Sequence, residues 1–208
     1  MKPTHGLLCR AVRVSLIACL GCAGCSTAPS PAEISQAVLF HISYENYAWG
    51  HQSSGWYVDD QGRVWRLSAA LHWWPEVRNI LQGSEDTLYY SAGELEQSYA
   101  DARDTLVAAI DADELREKYL LIAGAARGNY STPANAAADA GSSVIGCLAY
   151  DQEADGYRKV ILSMTGDWQA VNLANSATEL DAWLRSLARR FIPGLNGQHV
   201  EGSPNRTL

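Results

Sequence analysis

Apolar and polar positions alternate from Val38 to Tyr44, with Val38, Phe40, Ile42 and Tyr44 on one parity and Leu39, His41 and Ser43 on the other. That period of two belongs to a strand whose successive side chains point to opposite faces, and it places His41 on a solvated face. Trp56 and Val58 then share a parity, as do Trp65 and Leu67, with Asp59-Asp60-Gln61-Gly62 between them. Gly62 can adopt the positive φ of a tight turn, so a hairpin is predicted. Pro75 and Gly83 interrupt the next stretch, which reads as a loop with a short helical turn.

Ser91-Ala-Gly-Glu94 has the form of a capping box. Leu95, Tyr99, Ala102, Leu106, Ala109 and Ile110 follow at helical spacing and predict one amphipathic helix. A second helix starts behind Asp111-Ala-Asp-Glu114, carries Leu115, Tyr119, Ile122 and Ala123, and ends near Gly128. Residues 129–142 are poor in bulky apolar side chains and read as a mobile surface loop. Ser143 to Tyr150 and Tyr157 to Met164 predict a second hairpin around Glu153-Ala-Asp-Gly156, closed off by Thr165-Gly-Asp-Trp168. Ser176-Ala-Thr-Glu179 predicts a cap for the last helix, whose stripe is Leu180, Trp183, Leu184, Leu187 and Phe191. Hairpins between neighbouring strands imply an α+β fold, with an antiparallel sheet of about four to five strands and helices packed on one face.

The first residues follow a different logic. Lys2, Arg10 and Arg13 precede an apolar run from Val14 to Ala23, which is too short to span a bilayer and has the layout of a secretory signal. Cys22-Ala23-Gly24-Cys25, followed by Ser26, resembles the lipobox of bacterial lipoproteins, with Cys22 where Leu is common. Leu16-Ile17-Ala18-Cys19 is a second match, but it leaves only Val14 to Ala18 as the apolar run. The resemblance implies cleavage before Cys25 and lipidation of that cysteine, so that acyl chains such as palmitate anchor the protein without spanning the membrane. Ser26 lacks the Asp that marks inner-membrane retention in enterobacterial lipoproteins, so the outer membrane of the cell envelope is implied. The chain then divides into a signal peptide (1–24), a flexible tether (25–37), a single body (38–192) and a disordered tail (193–208).

Composition narrows the partners. With 47% apolar and 19% charged residues in 208, one globular domain is expected. All 23 acidic residues follow the leader, which holds three of the 16 basic ones, so thirteen basic residues remain and the mature charge is −10. Such a domain offers no basic stripe, and no nucleic-acid partner is expected. With Cys25 lipidated, Cys147 is the one thiol left; it falls inside an apolar strand, where a buried, inert thiol is expected.

Catalytic signatures are scarce. His41, His51 and His72 match no metal-ligand motif, and Gly141-Ser-Ser-Val-Ile-Gly146 lacks the spacing of a nucleophile elbow. No catalytic residue, metal or cofactor is assigned. The seven tryptophans stand out instead. Trp56, Trp65 and Trp183 sit at core positions of predicted elements, whereas Tyr47, Trp49, Trp73 and Trp74 fall in predicted loops and are the candidate ligand-binding residues. They point to a non-catalytic module that binds an envelope protein or glycan. The alternative is a small cell-wall glycan hydrolase, with Glu45 and Asp167 as paired carboxylates across a cleft.

Overall fold

A computed structural model describes residues 36–191 apart from positions 49, 70, 72 and 85. The expected leader with Cys25, nearly all of the tether and the tail therefore lie outside the described residues, as does Trp49. The elements are β1 (Val38–Asn46), β2 (Gln52–Asp59), β3 (Arg63–Leu67), α1 (Trp74–Gln82), α2 (Ala92–Ala102), β4 (Arg103–Ala109), α3 (Ala112–Ala125), β5 (Ala134–Asn135), β6 (Ser142–Asp151), β7 (Gly156–Gly166), β8 (Trp168–Val171) and α4 (Asn175–Phe191). The fold is α+β, with one antiparallel sheet ordered β4-β3-β2-β1-β6-β7-β8-β5. Among the described residues the sheet has eight strands, not the four to five expected.

Both hairpins form as predicted. Gly62, at φ 72°, donates its N–H to the Asp59 carbonyl at 3.1 Å. The buried Asp59 carboxylate secures the same turn: Oδ1 accepts from the amides of Gln61 and Arg63, and Oδ2 accepts from Arg63 Nε at 2.7 Å and Trp65 Nε1 at 2.8 Å. In the turn between β6 and β7, Asp155 takes the positive φ, at 47°.

The extra strands come from three places. Leu106 and Ala109, expected on a helix, belong to β4, which pairs with β3. Thr105 and Val107 are stiff at χ1 and disfavour a longer helix, and the open edge of β3 supplies backbone partners in its place. Trp168 begins β8 where only the end of a hairpin was expected, and the loop at 129–142 contributes β5. The stretch read as loop after β3 also holds α1, a nine-residue helix with Pro75 in its first turn and Gly83 in the left-handed region at its end.

Helices cover both faces of the sheet, not one. On the first face, α3 and α4 bury Leu115, Leu180, Trp183 and Leu184 against Phe40, Trp56, Cys147 and Val160. Trp183 meets Phe40 edge-on at 4.9 Å, and its Nε1 donates to Glu114 Oε1 at 2.7 Å, which ties α4 to α3. On the opposite face, α2 brings Leu95 and Tyr99 to Tyr57 and Leu148, while α1 and the preceding Trp73 meet Val144, Ile161 and Met164. His41 is consequently fully buried, not solvated.

Caps explain where two of the helices begin. Ser91 and Glu94 exchange the reciprocal bonds of a capping box ahead of α2, and the Asp111 carboxylate accepts from the amides of Asp113 and Glu114 ahead of α3. Ser176, expected to cap α4, lies inside its first turn, where the Ala174 carbonyl accepts from Thr178 N. The body also begins slightly earlier than the alternation implied, since the buried Gln36 donates to the carbonyls of Val38 and Leu148.

Candidate functional site

A cavity of about 780 Å³ opens at the end of the sheet where β1, β6 and β7 lie side by side. The register aligns Glu45 of β1 with Ser142 of β6, and Ser142 with Gly166 of β7, so Glu45 on β1 and Asp167 just after β7 reach the same opening. Trp74 and Pro75, at the start of α1, form another wall. Tyr47 stands just after β1 and is 62% exposed; Trp74 is 43% exposed. Two candidate aromatics, one just after β1 and one at the head of α1, thus share one cavity.

Of the other two candidates, Trp49 lies outside the described residues and Trp73 does not join them. Trp73 is only 2% exposed and belongs to the core, a correction to its expected place in a surface loop. Its ring stacks on His41 at 4.9 Å and lies over the bare backbone of Gly146. The adjacent indoles therefore have opposite fates: Trp73 enters the sheet-facing interior, and Trp74, at the head of α1, stays at the surface. No periodicity could separate them, because the start of α1 decides which ring turns inward.

Another part of the lining is built by backbone folding over the sheet end. Gly141 has φ 74°, and a Cβ there would lie 2.5 Å from the Glu45 carbonyl, so the close approach requires glycine. Asp167 staples the loop in place: its amide donates to the Gly141 carbonyl at 2.8 Å, its Oδ1 accepts from Ala140 N at 2.7 Å, and its carbonyl accepts from Ala136 N at 2.9 Å. Asp139, at φ 62°, also lines the cavity. The sequence reading missed both Gly141 and Asp139 as site residues. Gly141 carries a signal, a glycine at a strand entry; Asp139 carries none.

Tyr47 is oriented by its neighbours. His51 stacks on its ring at 4.7 Å and 19°, and its hydroxyl donates to Glu45 Oε1 at 3.5 Å. Loss of hydration, reinforced by the Glu45 charge, raises its phenol above the ordinary value. Asn46 fixes the chain leading to Tyr47 by accepting from Ala48 N and donating to the Tyr44 hydroxyl. The chain matches no family model, no curated protein and no solved structure.

The chemistry of the cavity is aromatic and acidic. Glu45, Asp139 and Asp167 line the opening, and the described lining holds no Lys or Arg. Among the described residues no three His, Cys, Asp or Glu side chains are arranged to hold a metal ion. No helix of the described chain is long and apolar enough to cross a membrane.

A second polar feature lies deeper, between α1 and β7. Tyr90 donates to Glu76 Oε1 at 2.6 Å, Lys159 Nζ stands 3.9 Å from the same oxygen, and the ammonium lies 4.5 Å above the Tyr90 ring. Burial lowers the Lys159 pKa and the Glu76 charge opposes that shift. A cavity of about 490 Å³ adjoins this pair. The ammonium is held by a carboxylate and an aromatic face, an arrangement that fastens α1 to the sheet.

Proposed function

We propose that this chain is a lipid-anchored envelope protein whose α+β body is a non-catalytic binding module, with its ligand seated in the cavity between Tyr47 and Trp74. The observation that supports this reading is that two solvent-exposed aromatic side chains, distant in sequence, line one opening. Its volume of about 780 Å³ falls within the range of small-ligand sites, which combine aromatic walls with a few polar groups. Trp74 and Tyr47 offer large contact area with few rotatable bonds, so little conformational entropy is lost on binding. The partner is an envelope protein or glycan, as the leader implies.

The test is a saturation-transfer NMR screen of soluble envelope fragments, both peptides and glycans, against wild type, Tyr47→Ala and Trp74→Ala. Signals present with wild type should vanish with both variants while the melting temperature holds. Binding that survives both substitutions sinks the proposal. Membrane attachment is tested separately: mass spectrometry should find an acylated Cys25 at the mature N terminus, and Cys25→Ser should release the protein into the soluble fraction.

A second reading, the glycan hydrolase, draws support from Glu45 and Asp167 lining the same cavity. Two strand spacings put their backbones roughly 9–10 Å apart, and hydrolysis would require their carboxyl groups within roughly 5–9.5 Å of each other across the opening. Against it, Asp167 already spends one oxygen on the Ala140 amide. Release of reducing ends from cell-wall glycan, lost in Glu45→Gln, would favour hydrolysis over binding.

A further inference from the structure

We infer that the cavity beside Glu76 and Lys159 is a covalent ligand site, in which the Lys159 amine condenses with a small hydroxylated aldehyde to form an imine. This site is separate from the opening at Tyr47 and Trp74 and does not depend on how that opening is read. The cavity, about 490 Å³, has the volume of a small-ligand site, and its lining comes from α1 and the chain after it, from the chain after α3 and from β7. Lys159 belongs to that lining with a side chain only 10% exposed, the partly dry setting in which lysines serve as nucleophiles.

The surroundings of Nζ suit that reaction. Burial lowers the Lys159 pKa, which raises the share of uncharged amine, the form with a lone pair to donate. Glu76 Oε1 stands 3.9 Å from Nζ, too far for a direct hydrogen bond but within reach of a hydroxyl borne on the carbon that bonds to nitrogen. Tyr90, donating to the same oxygen at 2.6 Å, holds the carboxylate in place. Glu76 Oε2 is buried and has no hydrogen-bond partner among the described residues, a cost that a mere tie between α1 and the sheet does not explain. In the reaction the ammonium gives a proton to Glu76, and the free amine adds to the carbonyl carbon. After a proton passes from nitrogen to oxygen, the resulting carbinolamine takes the proton back from Glu76 and loses its hydroxyl as water. A protonated C=N bond replaces the C=O bond, one water leaves, and no oxidant or reductant is consumed. The remaining lining sets the class of aldehyde. Asn79, Thr87, Asn129 and Thr132 bring amide and hydroxyl groups, which exchange hydrogen bonds with a hydroxylated chain and have nothing to offer an alkyl one.

The experiment treats the folded full chain at pH 7 with glyceraldehyde or with propanal, its counterpart without hydroxyls, and traps any imine with cyanoborohydride. Peptide mapping by mass spectrometry then reads the rate at each lysine. Lys118 is the internal reference, since its side chain is 13% exposed and hydrogen bonds to Glu117 and Glu179 raise its pKa. Glyceraldehyde should modify Lys159 at least tenfold faster than Lys118, and at Lys159 it should outpace propanal at least fivefold while Lys118 shows no such preference. Glu76→Gln should slow trapping at Lys159 at least tenfold and leave Lys118 unchanged. A purely electrostatic role predicts the opposite, because the Glu76 charge raises the Lys159 pKa and its removal would free more amine. The comparison of two lysines and two aldehydes in the wild type decides the matter even if that variant does not fold. Trapping at Lys159 no faster than at Lys118, or only after urea unfolds the chain, overturns the inference and leaves Lys159 a structural tie. Equal rates for the two aldehydes at Lys159 overturn the hydroxylated class, and faster trapping in a folded Glu76→Gln overturns the part given to Glu76.

Discussion

Gly146→Ala probes the interior of the molecule directly. A Cβ at that position would stand 2.2 Å from Cζ3 and 2.3 Å from Cη2 of Trp73, and 2.9 Å from the Val160 carbonyl oxygen. Trp73 is clamped between β6 and the stacked His41 ring, so it cannot yield by a simple rotamer change. Overpacking a tight interior costs about 1–3 kcal/mol, and a rigid ring plus a backbone carbonyl put this substitution at the upper end. Each kcal/mol moves the melting temperature of a chain this size by about 2–4 °C, which predicts a loss of about 6–12 °C. Trp73→Ala alone should cost about 3–5 kcal/mol. With the indole gone the ring clash disappears but the Val160 carbonyl remains, so Gly146→Ala should then cost only about 1 kcal/mol, a coupling of about 2 kcal/mol. Urea unfolding of the four proteins, followed by far-ultraviolet circular dichroism so that loss of a tryptophan does not distort the signal, measures that cycle. Additivity within about 0.5 kcal/mol would show that the ring does not rest on Gly146 and would refute the assignment of Trp73 to the core.

Three other expectations follow from the same packing. His41 faces Trp73, Tyr99 and Lys159, and burial, assisted by the Lys159 charge, lowers its pKa to about 3. The unfolded chain therefore takes up a proton that the folded chain refuses: the contribution is complete above about pH 6.5 and is lost by about 1.4 kcal/mol per unit as pH falls toward 3. His41→Gln should flatten the stability profile between pH 6 and 4, and a slope equal to wild type would contradict this. Asp59→Ala removes the acceptor for four N–H donors and should cost about 2–4 kcal/mol, discounted because Arg63 is half exposed; a denaturant melt measures it. Burial pushes the Cys147 thiol up to about 12. Peptide mapping after alkylation at pH 8 should find position 147 unmodified in the native protein and modified once urea unfolds it; rapid native labelling would place the thiol at the surface.

Much of the architecture could be read from side-chain order because local rules governed it. The Asp59-Gly62 turn, the Ser91-Glu94 cap and the stripe from Leu180 to Leu187 each depend on contacts within a few residues, and each forms. The strands that escaped notice are short or serve an edge, where pairing with a distant neighbour outweighs local preference, as in β4. The second helical layer was hidden for another reason. His41 and Ser43 are polar, and alternation cannot distinguish a polar face wetted by water from one covered by a Tyr99 hydroxyl and a Trp73 ring. Around the cavity, Tyr47, Trp74, Glu45 and Asp167 were all visible as unusual residues. Their meeting depends on the β1–β6 register and on the approach of Gly141 to Glu45, both of which join segments about a hundred residues apart.

The position of β1 at the middle of the sheet has a consequence for how the protein reaches its final form. Its hydrogen-bonding neighbours are β2, which follows at once, and β6, which enters only after α3 and β5. A chain emerging N terminus first during synthesis would hold the flank of β1 that awaits β6 unmatched until most of the sequence has appeared. Such a body cannot mature piecemeal, and a nascent form cut short before Ser142 would present a sticky, half-paired ribbon suited to capture by a holding chaperone.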